Sequence, residues 1–176
     1  NISFGLIERV FEVYFFFAVF LGYKFVEQNF GLFEISLSSI PMWIVCMFAL
    51  DFIIYWYHRS GHTVSFFWAA HVVHHQCEEF NLTVAFRNGI FPHIFRSFYI
   101  LLLPILGFPA EMILISLGIS GLWQFFIHTT TINKMGVLEN FMMTPSLHRV
   151  HHASNEKYLD KNFGGMFIIW DRLMGT

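Results

Sequence analysis

The sequence predicts an all-α fold, an integral membrane helical bundle with a cytoplasmic histidine-rich helical cap. Composition is the first sign. Of 176 residues, 56% are hydrophobic, 20% aromatic and only 12% charged, with 24 Phe and a mean hydropathy of +0.56. A soluble domain carries about 25% charged residues, so half that share makes lipid the solvent for much of the surface. The second sign is a series of apolar runs of near-membrane length, separated by short polar connections. The third is the histidines, which gather at the ends of these runs, five of them between His58 and His75. The length is that of one domain, so residues 1–176 read as a single membrane domain. A net charge of -2 gives no case for a nucleic-acid partner. Cys46 and Cys77 form neither a C-x-x-C pair nor a disulfide framework. Cys46 lies in an apolar run and reads as core packing, Cys77 as a free thiol in a reducing compartment. The chain begins at Asn1 rather than Met, as a processed form or a fragment does, and no n-region with a cleavage site marks a signal peptide.

The elements follow in order. Val10 to Phe25 is predicted to be a membrane helix, entered near Arg9 and left near Lys24. Gln28 to Ser39 is a polar connection. Ser39 is placed to N-cap the next helix, with Pro41 in its first turn. Ile40 to His58 is the strongest span: nineteen residues give about 28 Å, against roughly 30 Å of hydrocarbon. This helix is expected to run on into the water layer and carry His58 and His62. Phe66 to His75 mixes aromatic residues with histidine and reads as a short interfacial helix. The polar loop "QCEEFNLTVAFRNG" leads to an apolar hairpin whose arms are about Phe91 to Leu106 and Ala110 to His128. The first arm dips partway into the bilayer, with Arg96 snorkelling to the interface. After His128 the chain is polar except for Met166 to Trp170.

Basic residues set the orientation. If the histidine side is cytoplasmic, it holds nine of the ten Lys and Arg, leaving Lys24 alone on the other side. That is a strong positive-inside bias. The sequon at Asn81 then lies in the cytosol, unglycosylated, and reads as chance.

The chemistry is concentrated in three clusters. "HRSGH" supplies His58 and His62, "HVVHH" supplies His71, His74 and His75, and "HRVHH" supplies His148, His151 and His152. Positions i, i+3 and i+4 share a helix face, so each triplet is expected to aim three imidazoles at a common region. Thr144 and Pro145 are placed to start the helix under the last triplet. His128 ends an apolar arm at a similar depth, which makes nine candidate ligands. A single buried histidine is usually a satisfied core residue. Two H-x-x-H-H triplets and an H-x-x-x-H on one side of a membrane are not explained that way, because clustered imidazoles repel when protonated and need many partners when neutral. His93 fits no pattern and reads as an interfacial residue or one outside the ligand set.

Nine nitrogens exceed one ion's coordination and suit two ions at four or five ligands each. Imidazole accepts iron, zinc, copper or nickel. A closed structural zinc site would be tetrahedral and cysteine-rich, and soluble di-iron bundles use Glu and Glu-x-x-His ligands; neither fits. Asp51, two turns before His58 on the same face, is the carboxylate expected to orient a ligand, because an acid inside a membrane segment is functional by default. Glu78, Glu79 and Asp160 are also near in sequence.

With three boxes in this order, the chain resembles the fatty acid hydroxylase / sterol desaturase superfamily of membrane di-iron enzymes, over about Asp51 to Thr176. The H-x3-H, H-x2-H-H and H-x2-H-H boxes fall on His58/His62, His71/His74/His75 and His148/His151/His152, and the family's additional ligand histidine on His128. "DFIIYWYHRSGH", "NLTVAFR", "QFFIHT", "TPSLHRVHH", "DKNFGG" and "IIWDRLMGT" are most similar to the alkylglycerol monooxygenase branch. The resemblance implies two iron ions (zinc is compatible with isolated protein), O2, and a lipid substrate of the fatty-acyl, alkyl-glycerol or sterol-like kind. There is no His-Pro-Gly-Gly haem motif of a fused cytochrome b5 domain. A separate electron donor is therefore implied, a reduced pterin for the alkylglycerol branch or a cytochrome b5-like protein.

The activity expected is O2-dependent oxidation of a lipid C–H bond, as hydroxylation or desaturation, which is cofactor chemistry that a protein positions and shields. Trp56, Phe66, Phe67, Trp68 and Trp123 are placed either to line a lipid passage or to pack in core and interfacial belts. Arg87 and Asn81 are placed to hold a head group or to organise their loop. Three other functions compete: a membrane metal-binding or transport protein without oxidase activity, a haem electron carrier, and a nonenzymatic relative with structural metal. Transport needs polar residues along a path across the bilayer, whereas these histidines gather at one face. A haem carrier needs paired axial histidines deep within the helices.

Overall fold

The computed structural model describes residues 2–176, with backbone only at positions 2, 4, 5 and 8. Helices account for the secondary structure: α1 (Ile2–Phe30), α2 (Ile40–Thr63), α3 (Ser65–His75), α4 (Ile90–Ile100), α5 (Leu102–Ile105), α6 (Ala110–Ile127), α7 (Pro145–His151) and α8 (Ile169–Met174), with 3-10 turns at Leu82–Phe86, Gly136–Asn140 and Glu156–Tyr158. No strand forms among the described residues; one antiparallel bridge joins Met142 and Phe167.

The central helix is α2, which packs on α3, α4 and α6. Its buried face, Cys46, Leu50, Ile53 and Ile54, meets Ile100, Leu103, Met112, Ile113 and Leu117. Among the described residues, α2 and α6 are the two helices long and apolar enough to cross a membrane. Their outer faces stay apolar and open, with Ile44, Ile115 and Leu122 all exposed, as lipid contact requires.

The first helix is longer than its apolar run, because the polar residues at both ends find partners. Arg9 pairs with Glu12 at 2.8 Å. Lys24 Nζ reaches Glu111 at 3.0 Å, and Glu27 accepts from the Ala110 N–H at 3.0 Å, capping α6. At the start of α2, Ser39 caps through its backbone: its carbonyl takes the Met42 and Trp43 N–H groups, and its side chain makes no cap bond. The α2 helix does continue past His58, to Thr63.

The first hairpin arm is broken at Leu101 into α4 and α5. Pro104 is the cause, since it has no N–H to return to the Ile100 carbonyl. Arg96 does not snorkel alone: its Nη2 lies 3.1 Å from His93 Nδ1, and His93 Nε2 lies 2.7 Å from Glu12 Oε1, tying α4 to α1. At the far end, Leu32 N–H bonds the Ile105 carbonyl at 2.8 Å. There Gly107 takes φ +94°, where a Cβ would run into the Phe33 carbonyl oxygen, so only glycine fits.

The polar tail is not a loose cap. Met143 N–H bonds the Met166 carbonyl and Ile168 N–H the Phe141 carbonyl, at 2.8 and 3.0 Å. Phe167 then stacks on Phe48 at 4.5 Å, and Trp170 packs on Phe52 at 4.9 Å. The segment that closes the site is thereby fastened to the flank of α2.

Candidate metal centre

All nine histidines picked out by spacing converge at the α3 end of α2, and they do so as two groups. His58, His62, His71, His75 and His151 form one; His74, His128, His148 and His152 form the other. Within each, one ring nitrogen per residue lies within 4.8 Å of the rest. The expectation that each triplet aims at one place needs correction. Residues i and i+4 lie about 40° apart around a helix, whereas i+3 and i+4 lie about 100° apart. So His71 and His75 serve the first group while His74 turns to the second; His148 and His152 serve the second while His151 turns to the first. Each triplet straddles both groups and locks them together.

The local scaffolds are short. His58 and His62 ride the last turns of α2, and the Val64 break lets α3 fold back so that His58 Nε2 comes 3.1 Å from His71 Nε2. His128 is the C-cap of α6. Thr144 precedes α7 without a side-chain cap bond to it; its hydroxyl donates instead to Glu139 Oε1 at 3.2 Å, which also takes the Met135 N–H and the Ser146 hydroxyl. Arg149 Nη1 donates to the Thr129 and Ile132 carbonyls at 2.9 and 2.7 Å, pinning the loop after His128 to α7.

Tautomers decide what the groups can hold. His58 and His151 donate from Nδ1 to the Phe163 and Lys161 carbonyls, both at 2.8 Å, and His128 donates from Nδ1 to the Gln124 carbonyl at 2.5 Å. A neutral imidazole has one N–H, so the Nε2 atoms of these rings are bare lone pairs, and they face other Nε2 atoms. His75 Nε2 lies 3.1 Å from the Nε2 of His62, His71 and His151 alike. His128 Nε2 lies 3.1 Å from that of His74 and 2.9 Å from that of His148. One proton cannot satisfy three such contacts, whereas a shared cation can. The spacing also fits: neighbours at right angles on an ion with bonds of about 2.1 Å stand about 3.0 Å apart, against about 3.4 Å in a tetrahedron.

Burial keeps the rings neutral. Desolvation, then the nearness of other imidazoles, holds His71, His74, His148, His151 and His152 well below the ordinary histidine value. His128 is lowered to about 4, mainly by desolvation. Neutral imidazole is the form that binds metal.

The two groups differ in access. A cleft of about 390 Å³ opens onto the first, lined by His62, His75 and His151 together with Trp68, Gln76 and Asp160; of the second group only His152 reaches it. Phe80 covers the second group, its ring 5.6 Å from His128 and 4.9 Å from His152. The Nδ1 of His148 is buried without a hydrogen-bond partner among the described residues, while His74 has the Val84 backbone carbonyl beside it.

Asp160 Oδ1 lies 3.4 Å from His62 Nδ1, although its side chain is 63% exposed. Asp51 touches no histidine. Its carboxylate accepts from the Met166 and Phe167 N–H groups and from the Trp170 indole, at 2.7 to 3.0 Å. It fastens the segment beyond the ligand-facing carbonyls rather than a ring, and the expected carboxylate–imidazole pair is not formed. Glu78 and Glu79 are exposed. Of the aromatic residues, Trp68 lines the cleft, while Trp123 donates to the Met143 carbonyl at 2.8 Å and Phe67 packs on Phe95 and Tyr99. Asn81 caps its own 3-10 turn, accepting the Thr83 N–H at 2.9 Å. His93 stays outside both groups. Sequence reasoning passed over Asp171, Glu139 and Arg149: Arg149 and Asp171 act chiefly on backbone groups and Glu139 on two hydroxyls and one N–H, for which spacing carries no signal.

The fatty acid hydroxylase family model matches residues 43–176. Alkylglycerol monooxygenase of Homo sapiens is 36% identical over 176 residues, covering all of this chain and 39% of that protein. Alkylglycerol monooxygenase of Caenorhabditis elegans is 37% identical over 159 residues, covering 90% of this chain and 31% of that protein. Ornithine lipid hydroxylase OlsE of Rhizobium tropici is 29% identical over 130 residues, 72% of this chain and 38% of that protein. The chain thus spans less than half the length of these relatives. No solved structure matches.

Proposed function

The chain belongs to the fatty acid hydroxylase family, and on that premise we propose that it is the core of an O2-dependent lipid monooxygenase, a single multi-pass membrane domain with one iron ion in each histidine group. The observation that carries this reading is the convergence of Nε2 atoms in each group, with the rings of His58, His151 and His128 having already spent their N–H on backbone carbonyls. His58, His62, His71, His75 and His151 hold one ion; His74, His128, His148 and His152 hold the other. When bound, the ions supply the O2 activation that no side chain can perform on a lipid C–H bond.

The protein's own residues bind, orient and shield. The Phe163, Lys161 and Gln124 carbonyls fix ring tautomers. Asp160 faces His62, and Asp51 fastens the closing segment at Met166 and Phe167. Phe80 keeps water from the four-histidine group, so the substrate carbon approaches by the cleft beside Trp68 and the five-histidine group. The substrate is a membrane lipid, with alkyl-glycerols favoured by the alkylglycerol monooxygenase matches. A separate donor, a reduced pterin or a cytochrome b5-like protein, provides electrons. The histidine side faces the cytoplasm, because it carries nine of the ten Lys and Arg. The test is reconstitution in lipid with iron, reductant and candidate lipids. O2 consumption coupled to an oxidised lipid is the expected result; none across the fatty-acyl, alkyl-glycerol and sterol classes would defeat the proposal.

A further inference from the structure

We infer that Asp171 is a positioning residue for one ion only: by holding the 161–164 segment it orients the His58 and His151 rings, leaving the four-histidine group independent of it. This rests on the reading that each group binds an ion. Asp171 lies in α8 and is 1% exposed. Its Oδ1 accepts the Phe163 N–H at 2.6 Å and its Oδ2 the Gly164 N–H at 2.8 Å. The Thr176 hydroxyl donates to Oδ1 at 2.8 Å and sits 3.0 Å from the Tyr55 hydroxyl, which connects the carboxylate to α2. Phe163, whose N–H Asp171 holds, offers its carbonyl to His58 Nδ1, and Lys161 offers its carbonyl to His151 Nδ1.

The segment does not hold this shape unaided. Asp160 and Asn162 take φ +54° and +58°, a left-handed region that Asp and Asn tolerate better than other side chains but still at a cost, and Asn162 Nδ2 also donates to the Leu147 carbonyl at 2.9 Å. The clamp is close: a Cβ on Gly164 would come within 2.9 Å of Asp171 Oδ2. The other group does not lean on this strap. His128 is oriented by Gln124 in its own helix, His74 has the Val84 backbone carbonyl beside it, and His148 Nδ1 has no hydrogen-bond partner among the described residues. Asn has one acceptor oxygen where Asp has two, so Asp171→Asn turns an amide N–H toward one of the two backbone donors. The strap then shifts, and the tautomers of two of the five rings are released.

The experiment counts metal in the full chain, purified in lipid nanodiscs, loaded with iron and dialysed against a mild chelator. Wild type should hold two ions and D171N one, with unchanged helical circular dichroism and a monodisperse profile. Adding His148→Ala to D171N should leave none. Adding His58→Ala to D171N should leave one, because both changes empty the same group. D171N that keeps two ions, or a well-folded D171N that loses both, would overturn the inference while leaving the metal reading intact. Wild type that holds none would overturn the metal reading and this inference together. If D171N does not fold, Thr176→Val strips only the hydroxyl on Oδ1. Relative to wild type it should speed release of the open group's ion to the chelator by about tenfold, the lower end for an outer partner of a ligand, and leave the other phase unchanged; an unchanged open-group phase, or both phases accelerated alike, would overturn the inference.

Discussion

The five-histidine group and the four-histidine group draw on the same two triplets, yet they are held differently. In the first, two of the five rings lean on carbonyls from a single strap at residues 161–163, and a third faces the exposed Asp160 carboxylate. In the second, His128 leans on its own helix, His74 meets the Val84 backbone, His148 has no Nδ1 partner among the described residues, and Phe80 lies over the top. A cleft reaches the first group and largely misses the second. The difference teaches a division of labour. A group open to a cleft cannot be fixed by packing from every side, so its geometry is imposed from behind by hydrogen bonds. A closed group can be fixed by burial alone.

The comparison can be broken or sharpened by substitution. The largest effect is expected from removing one ligand of each group. His75→Ala and His148→Ala should each lower bound iron from two ions to one and bring lipid oxidation to background. Loss of both ions from either variant would mean that the groups are not separate. Phe80→Ala should come next. It uncovers only the closed group and should make that ion as accessible to a chelator as the open one, at a stability loss below the roughly 3–5 kcal/mol of a fully buried Phe. Chelation kinetics would register this as two release phases merging into one. Asp160→Asn should be milder, because its carboxylate is mostly exposed: about tenfold weaker iron binding at the open group, the low end for an outer partner of a ligand, with the closed group unchanged in a competition titration.

Acid should act weakly at first and on both groups. The folded chain holds the buried rings neutral well below the ordinary histidine value, whereas the unfolded chain takes up protons from about pH 6.5 downward. More protons on the unfolded chain means stability falls as pH falls. The metal-free protein should therefore be most stable above pH 6.5 and lose stability progressively toward pH 4, where His128 begins to protonate. A denaturation midpoint that rises on acidification would contradict the burial of these rings.

Much of this architecture was legible in the residues. The apolar runs gave α2 and α6, and box spacing gave all nine histidines, because side-chain periodicity is written in sequence. Three things were hidden. The pairing of His71 with His75, and of His148 with His152, follows from helix geometry once two histidine groups form, but the triplets alone read as convergent. The partners of Asp51 lie at Met166, Phe167 and Trp170, more than a hundred residues away, where no period connects them. The orienting groups on His58, His128 and His151 are backbone carbonyls, which every residue possesses. The apolar stretch Met166 to Trp170 within the polar tail was visible, and it is Phe167 and Trp170 that carry the tail back onto α2.

The most direct measurement is an iron-edge anomalous map, or equivalent metal-resolved density, from protein purified in lipid. Two peaks are expected, one about 2.1 Å from ring nitrogens of His58, His62, His71, His75 and His151, the other at that distance from His74, His128, His148 and His152. A single peak, no peak, or ions whose ligands mix the two sets would contradict the account.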